Sequence, residues 1–333
     1  MVRIALDAMG GDRAPDAPVA AAMQAVAGDP DLEVVLVGPR EPLTRLLPAR
    51  PRRILIEEAD EVIDPSEPPV AAVRQKPQSS LVRAIDLVRA GLVSGMVSAG
   101  NTGALMAAGL MLLGRLPAVD RPALTAVLPT AGGDGVLLLD VGANTEAKPS
   151  QLLQFAWMGS LYAEQVLGRP EPRVALLNIG TEAGKGPGAV RSAYTRLLRT
   201  RQLHFVGNLE SRDLLAGGAD VVVCDGFVGN IVLKAVEGTA QEMMRHIRRA
   251  LGGSLRARVG GLMARPALLR VREAMDYETV GGVPLLGLQG VVIKAHGASG
   301  PRALANALAR AQEQARRRVG ELIAENLARE EAP

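Results

Sequence analysis

The sequence predicts an α/β protein on a mostly parallel sheet with some antiparallel pairing. Three observations carry this. Short apolar runs without alternation, such as Val221–Val222–Val223–Cys224, suit strands buried on both faces. These runs end in small polar loops and are followed by segments of helical spacing, as in Asp225–Gly226–Phe227–Val228–Gly229–Asn230 and the residues from Ile231 on. Finally, Ala123–Leu128 and Val136–Leu139 flank Gly132–Gly133–Asp134–Gly135, the spacing of a hairpin.

Taken in order, Val2–Leu6 reads as the first strand. Asp16 caps an Ala-rich helix, and strands follow at 31–37 and 53–56. Residues 57–78 hold four prolines, Pro65, Pro68, Pro69 and Pro77, and read as a long active-site loop. Ser79–Ser80 caps a helix over 81–90. Met96–Ser98 is a strand with a helix from Ala104. After the hairpin come a helix over 149–166, a strand over 174–177, a loop over 178–188, a helix over 189–200 and a strand over 203–206. The strand at Val221 comes next. Residues 237–275 read as an inserted basic amphipathic helical hairpin, with apolar stripes Met243, Ile247, Leu251 and Leu255, Val259, Met263, and with Pro266 ending its second arm. The last strand is 291–294, and one long helix over about 302–329 closes the chain.

Composition narrows the function. The 333 residues are 48% hydrophobic, enough for a large core. Aromatics are 2%, too few for base-stacking platforms, and 38 basic against 35 acidic residues give +3, no signature of nucleic-acid binding. The single cysteine excludes an internal disulfide and a Cys-based zinc cluster, and the three histidines are scattered; no metal and no cofactor are expected. The absence of a signal peptide and of a 20-residue apolar run leads to an expectation of a cytoplasmic protein with peripheral membrane contact.

Ligands of open α/β sheets bind beyond the carboxyl ends of strands, so the polar loops are expected to form one site. Gly180–Thr181–Glu182–Ala183–Gly184–Lys185–Gly186 approaches a P-loop but has three residues, not four, between its glycines, and Gly186 in place of Ser or Thr. It reads as a phosphate-binding loop with one lysine or as a solvated loop. Lys294 and His296 share a face if the strand continues, and both could contact an anion. Asn101, Asn144, Asn178, Asn208 and Asn230 each follow or end an apolar run and serve either as ligand donors or as turn formers. Cys224 sits within an apolar run and reads as a buried hydrophobe rather than a nucleophile. The arginine-rich hairpin is a solvated basic face, an element for an anionic membrane, or a docking surface for an acidic protein.

The ordered set Ala5–Asp12, Ser98–Met106, Leu139–Asn144, Leu177–Glu182, Cys224–Asn230 and Val292–Gly297 resembles the bacterial phosphate acyltransferase family, PlsX, over essentially the whole chain. The resemblance implies a single catalytic domain over 1–333 with a three-layer α/β/α fold like isocitrate and isopropylmalate dehydrogenases. It implies transfer of a long-chain acyl group from acyl carrier protein to inorganic phosphate, for phospholipid synthesis, without a covalent acyl-enzyme. It further implies a homodimer that touches the membrane peripherally and feeds a membrane glycerol-3-phosphate acyltransferase. The expected catalytic residues are Lys185, Asn230 and His296; the expected substrate-binding residues are Asn101, Thr102, Asn178, Asp225, Gly229 and Lys294. The competing readings are a dinucleotide- and metal-dependent dehydrogenase, an acetyl-CoA phosphotransacetylase and a non-catalytic anion-binding regulator.

Overall fold

The computed structural model describes residues 1–48, 52–274 and 281–330. The chain opens with β1 (Val2–Asp7), α1 (Asp16–Gly28), β2 (Leu32–Gly38), α2 (Arg40–Leu46) and β3 (Ile54–Glu58). Then come α3 (Pro69–Gln75), α4 (Ser80–Arg89), β4 (Gly95–Ser98) and α5 (Thr102–Ala108), which runs into a π-helical turn, Gly109–Leu113. Next are β5 (Ala123–Leu128), β6 (Val136–Leu139), α6 (Pro149–Gln165), β7 (Val174–Asn178), α7 (Gly188–Leu197) and β8 (Phe205–Glu210). The remainder is β9 (Val221–Val223), α8 (Gly226–Gly252), α9 (Leu255–Ala274), β10 (Val283–Leu286), β11 (Val291–Lys294), α10 (Pro301–Arg316) and α11 (Val319–Glu330).

The strands form one mixed sheet in the order β3-β2-β1-β4-β11-β10-β5-β6-β9-β7-β8. Alternating side chains bury opposite faces, as period-2 geometry requires. Ala5 of β1, Leu138 of β6 and Val222 of β9 pack with α3, α4, α5 and α8 on one face. Ile4 and Leu6 meet α1 and α10 on the other, where Leu137, Leu139, Val221 and Val223 meet α6, α7 and α11. Continuous apolar strands are thus explained by burial on both faces.

Several expectations need correction. Helix α8 starts at Gly226, so the arm assigned to 237 onward belongs to one 27-residue helix beginning directly after β9. Pro266 lies inside α9, which continues to Ala274; residue 275, the expected end of the insert, lies outside the described residues. Strand β10 adds a strand before the one at 291–294, with Pro284 inside it. The closing helix is two helices, broken where Arg318 adopts φ 52°, with Gly320 two residues further on. The 57–78 segment also contains α3 and is tethered by a bridge between Glu61 and Ser79. Ser79 caps α4 as expected, accepting from the Val82 amide, but α1 starts at Asp16 itself, after Pro15.

Candidate active site

Strand direction organises the site. β3, β2, β1, β4 and β11 are mutually parallel; β10 runs antiparallel to both β11 and β5, and β5 runs antiparallel to β6. β6, β9, β7 and β8 are again parallel. The carboxyl ends of the two halves therefore point to opposite edges of the sheet, not to the one rim the loops suggested. The strands on either side of β5 are short: β10 and β6, with four residues each, span about 13 Å. Loops from both edges can thus reach over one face at β5.

From the first edge come Asp7, Ser98, Lys294 and His296. Ser98 is in register with Lys294, and Asp7 lies beside Ser98, one step beyond the Leu6–Val97 pair. The Ser98 hydroxyl donates to Asp7 Oδ2 at 2.6 Å and accepts from the Gly100 amide at 3.0 Å. The Met9 amide donates to Asp7 Oδ1. All three side chains of this row are buried. Burial pushes the Asp7 carboxyl above the usual carboxylate range, against the pull of its hydroxyl and amide donors and of Lys294. Burial also lowers Lys294 to about 8, while Asp7 and Asp12 attract its positive form. Its Nζ donates to the Ala295 carbonyl. His296 Nδ1 accepts from the Ala298 amide at 3.1 Å, so in the neutral ring Nε2 carries the proton.

From the opposite edge comes a loop folded on Asp140. Its Oδ1 accepts from the amides of Leu124, Gly142 and Ala143, and its Oδ2 from the Asn144 amide and side chain. Burial raises this carboxyl too, opposed by those donors. The first turn of α8 packs on this loop through glycines. A Cβ on Gly226 would lie 2.6 Å from the Asn144 carbonyl, and one on Gly229 only 1.8 Å from the Asp140 carbonyl. This contact sets Asn230, exposed one residue later, beside Gly142.

The two sets face each other across a cleft of about 320 Å³. Its polar lining includes Thr102, Asn230, Lys234, Glu237, Lys294, His296 and Ser299; its apolar lining comes from β5, Val141, Leu233 and Val283. Of the expected site residues, Asn230, His296, Thr102 and Lys294 meet there. Lys185 does not line this cleft; half exposed on the 179–187 loop, it pairs with Glu182 at 3.8 Å. Asn178 fixes that loop, accepting from the Ile179 amide and donating to the Lys185 carbonyl. Asn101 caps α5 and donates to the Asp64, Pro65 and Glu67 carbonyls, pinning the proline-rich segment. Asp225 caps α8 through the Val228 amide at 2.8 Å, and Gly229 provides the close helix approach. Asn144 and Asn208 likewise bond backbone carbonyls, of Pro122 and Glu182. Cys224 is buried, donates to the Asp140 carbonyl at 3.4 Å and has its thiol pushed well up by burial, which suits a packing role.

Sequence reasoning missed Lys234, Glu237, Ser299 and Gly142. Lys234 and Glu237 stand one and two helical turns along α8 from Asn230 and pair at 2.8 Å; that spacing was the available signal. The arrangement offers cations and hydroxyls for an anion, an amide for a polar oxygen, and an apolar wall for a hydrocarbon. Among the described residues no cluster of three or more His, Cys, Asp or Glu could hold a metal ion.

The chain matches the family described as fatty acid synthesis protein over residues 2–322. It is 49% identical to the phosphate acyltransferase of Brevibacillus brevis over 327 residues, covering 98% of this chain and 97% of that one. It is 46% identical to that of Bacillus licheniformis, covering 98% of each. Among solved structures, a phosphotransacetylase from Streptococcus pyogenes aligns with TM-score 0.64 at 17% identity, over 95% of this chain and 94% of that one. A phosphotransacetylase from Staphylococcus aureus aligns with TM-score 0.61 at 18% identity, over 94% of each. At such identities the likeness speaks for the fold alone. The near-complete coverage at 46–49% identity settles the family: this chain belongs to the phosphate acyltransferases.

Proposed function

We propose that this chain is an enzyme moving a long-chain acyl group from acyl carrier protein to inorganic phosphate, by direct attack of phosphate on the thioester. The observation that carries this is the cleft, where cations and hydroxyls adjoin an apolar wall beside the exposed Asn230 amide. A phosphate oxygen bonds to the carbonyl carbon, the C–S bond breaks, and the proton of hydrogen phosphate passes to the departing thiolate. No covalent acyl-enzyme is needed, in keeping with the buried Cys224. Lys294 and His296 hold phosphate, with Thr102 and Ser299 beside them; Asn230 donates to the oxygen that becomes negative. Lys185 enters as a cation that the 179–187 loop brings over phosphate on closing. Its pair with Glu182 is exposed and worth at most about 1 kcal/mol, too little to hold the loop open.

The deciding assay follows phosphate-dependent release of carrier protein from palmitoyl-carrier protein, with acetyl-CoA as competitor substrate. Turnover only with acetyl-CoA would establish the phosphotransacetylase alternative instead, and turnover with neither would leave anion binding alone. Because Lys294 loses its charge as pH rises through about 8, KM for phosphate is expected to climb on the alkaline side of that value; a flat profile from pH 7 to 9.5 would count against its role.

The same proposal covers partners. The outer part of α8 with α9 carries Arg245, Arg248, Arg249, Arg256, Arg258 and Arg265 beside exposed Leu262 and Met263, which are 70% and 81% accessible. Among the described residues no helix is long and apolar enough to cross a membrane. Basic charge with exposed apolar groups suits an acidic carrier protein, an anionic membrane surface and a second protomer. A homodimer placed at the cytoplasmic membrane face, handing acyl phosphate to a membrane glycerol-3-phosphate acyltransferase, completes this reading, on a three-layer α/β/α fold of the isocitrate and isopropylmalate dehydrogenase kind. Changing Arg248 and Arg249 to Glu is expected to raise KM for acyl-carrier protein at least tenfold and leave KM for phosphate within twofold; an unchanged acyl-carrier KM removes the docking role.

A further inference from the structure

The row Asp7–Ser98–Lys294 is not explained by packing alone. These three polar side chains lie side by side at the carboxyl ends of β1, β4 and β11, on the face that carries the cleft. A buried carboxylate and a buried ammonium in a largely apolar layer are both costly unless paired. The surroundings are also built to fit: a Cβ at Gly10 would lie 2.7 Å from Asp7 Oδ2 and from the Gly100 amide. Of these three residues only Lys294 lines the cleft.

We propose that Asp7 and Ser98 are positioning residues for Lys294: the carboxylate, oriented by the serine hydroxyl, balances the buried ammonium and keeps it aimed at the anion in the cleft. This rests on the acyl-to-phosphate reading only for its kinetic consequence; the geometry holds without it. The other charged groups around Lys294 are Asp12 from the loop after β1, His296 from its own segment, and Lys234 and Glu237 across the cleft on α8. On the face that carries the row, the packed side of α4 brings no charge there, only Ser80, Leu81 and Ala84; α10 lies on the opposite face.

The sequence contains five lysines, so Lys294 can be followed directly. Protein carrying lysine labelled with carbon-13 at Cε is titrated from pH 6 to 11 by NMR, with the Lys294 signal assigned by its loss in Lys294→Arg. Asp7→Asn is expected to move the Lys294 midpoint down by at least about one pH unit, since the attracting charge is gone while burial remains. Ser98→Ala, which retains the carboxylate, is expected to move it the same way by a smaller step and carries the test if Asp7→Asn does not fold. Midpoints within about 0.2 units of the parent in every folded variant overturn the proposal. In turnover assays Asp7→Asn is expected to raise KM for phosphate about tenfold and KM for the acyl donor less than twofold. If the parent protein shows no phosphate-dependent turnover, the functional reading fails while the NMR titration still decides the positioning role.

Discussion

Gly229→Ala is expected to be the most damaging single-methyl change in the protein, costing about 3 kcal/mol or more. The added Cβ would lie 1.8 Å from the Asp140 carbonyl oxygen, 2.9 Å from its carbon and 2.9 Å from Cys224 Sγ. None of these is the yielding end of a long side chain. Two are backbone atoms on a loop already fixed by the amides that converge on the Asp140 carboxylate. Relief therefore requires lifting the first turn of α8 off the loop. Urea unfolding with the m value unchanged measures the loss. Gly238→Ala is the control: it lies further along the same helix, has open space around it, and should gain about 0.5–1 kcal/mol from helix propensity. Equal effects at the two positions would refute the close-approach argument.

Asn230→Ala is expected to lower turnover by about two to three orders of magnitude, the usual cost of removing one preorganised donor from a developing oxyanion. Its side chain is exposed at the cleft wall and, among the described residues, makes no hydrogen bond of its own. Stability should therefore be unchanged or slightly raised, since alanine favours a helix more than asparagine does. KM for phosphate should move little, because the loss falls on the transition state. Turnover within threefold of the parent, with the fold intact, would remove Asn230 from catalysis. A rise in KM alone would reassign it to substrate binding.

Much of this architecture was legible because local and global signals agree. The runs at β1, β9 and β11 are apolar without alternation because both of their faces are covered, and the glycine turn between β5 and β6 announced their pairing. What stayed hidden depends on tertiary context. β10 contains Pro284, tolerated because β10 has only two paired residues on each side, and the Pro284 carbonyl still accepts from Thr125. The α10–α11 break rests on a left-handed arginine, Arg318. The polar loops gave the right vocabulary but not the assignments. Asn101, Asn178 and Asp225 use their side chains on the backbone, a role the same residue types fill in any turn. Lys294 and His296 were recognisable from their shared strand end. Lys234 and Glu237 needed the knowledge that α8 begins as early as Gly226, which puts their turn of helix over the cleft.

The reversal of strand direction at β10 and β5 has a mechanical consequence. Lys294 and His296 ride on one parallel block and the Asn230 amide on the other, and only short antiparallel ladders join them. Flexing at this seam would widen or narrow the gap between charge and amide while each block keeps its own ladder intact. Substrate that bridges the gap would therefore act as a splint, stiffening the whole molecule in proportion to how tightly it is gripped.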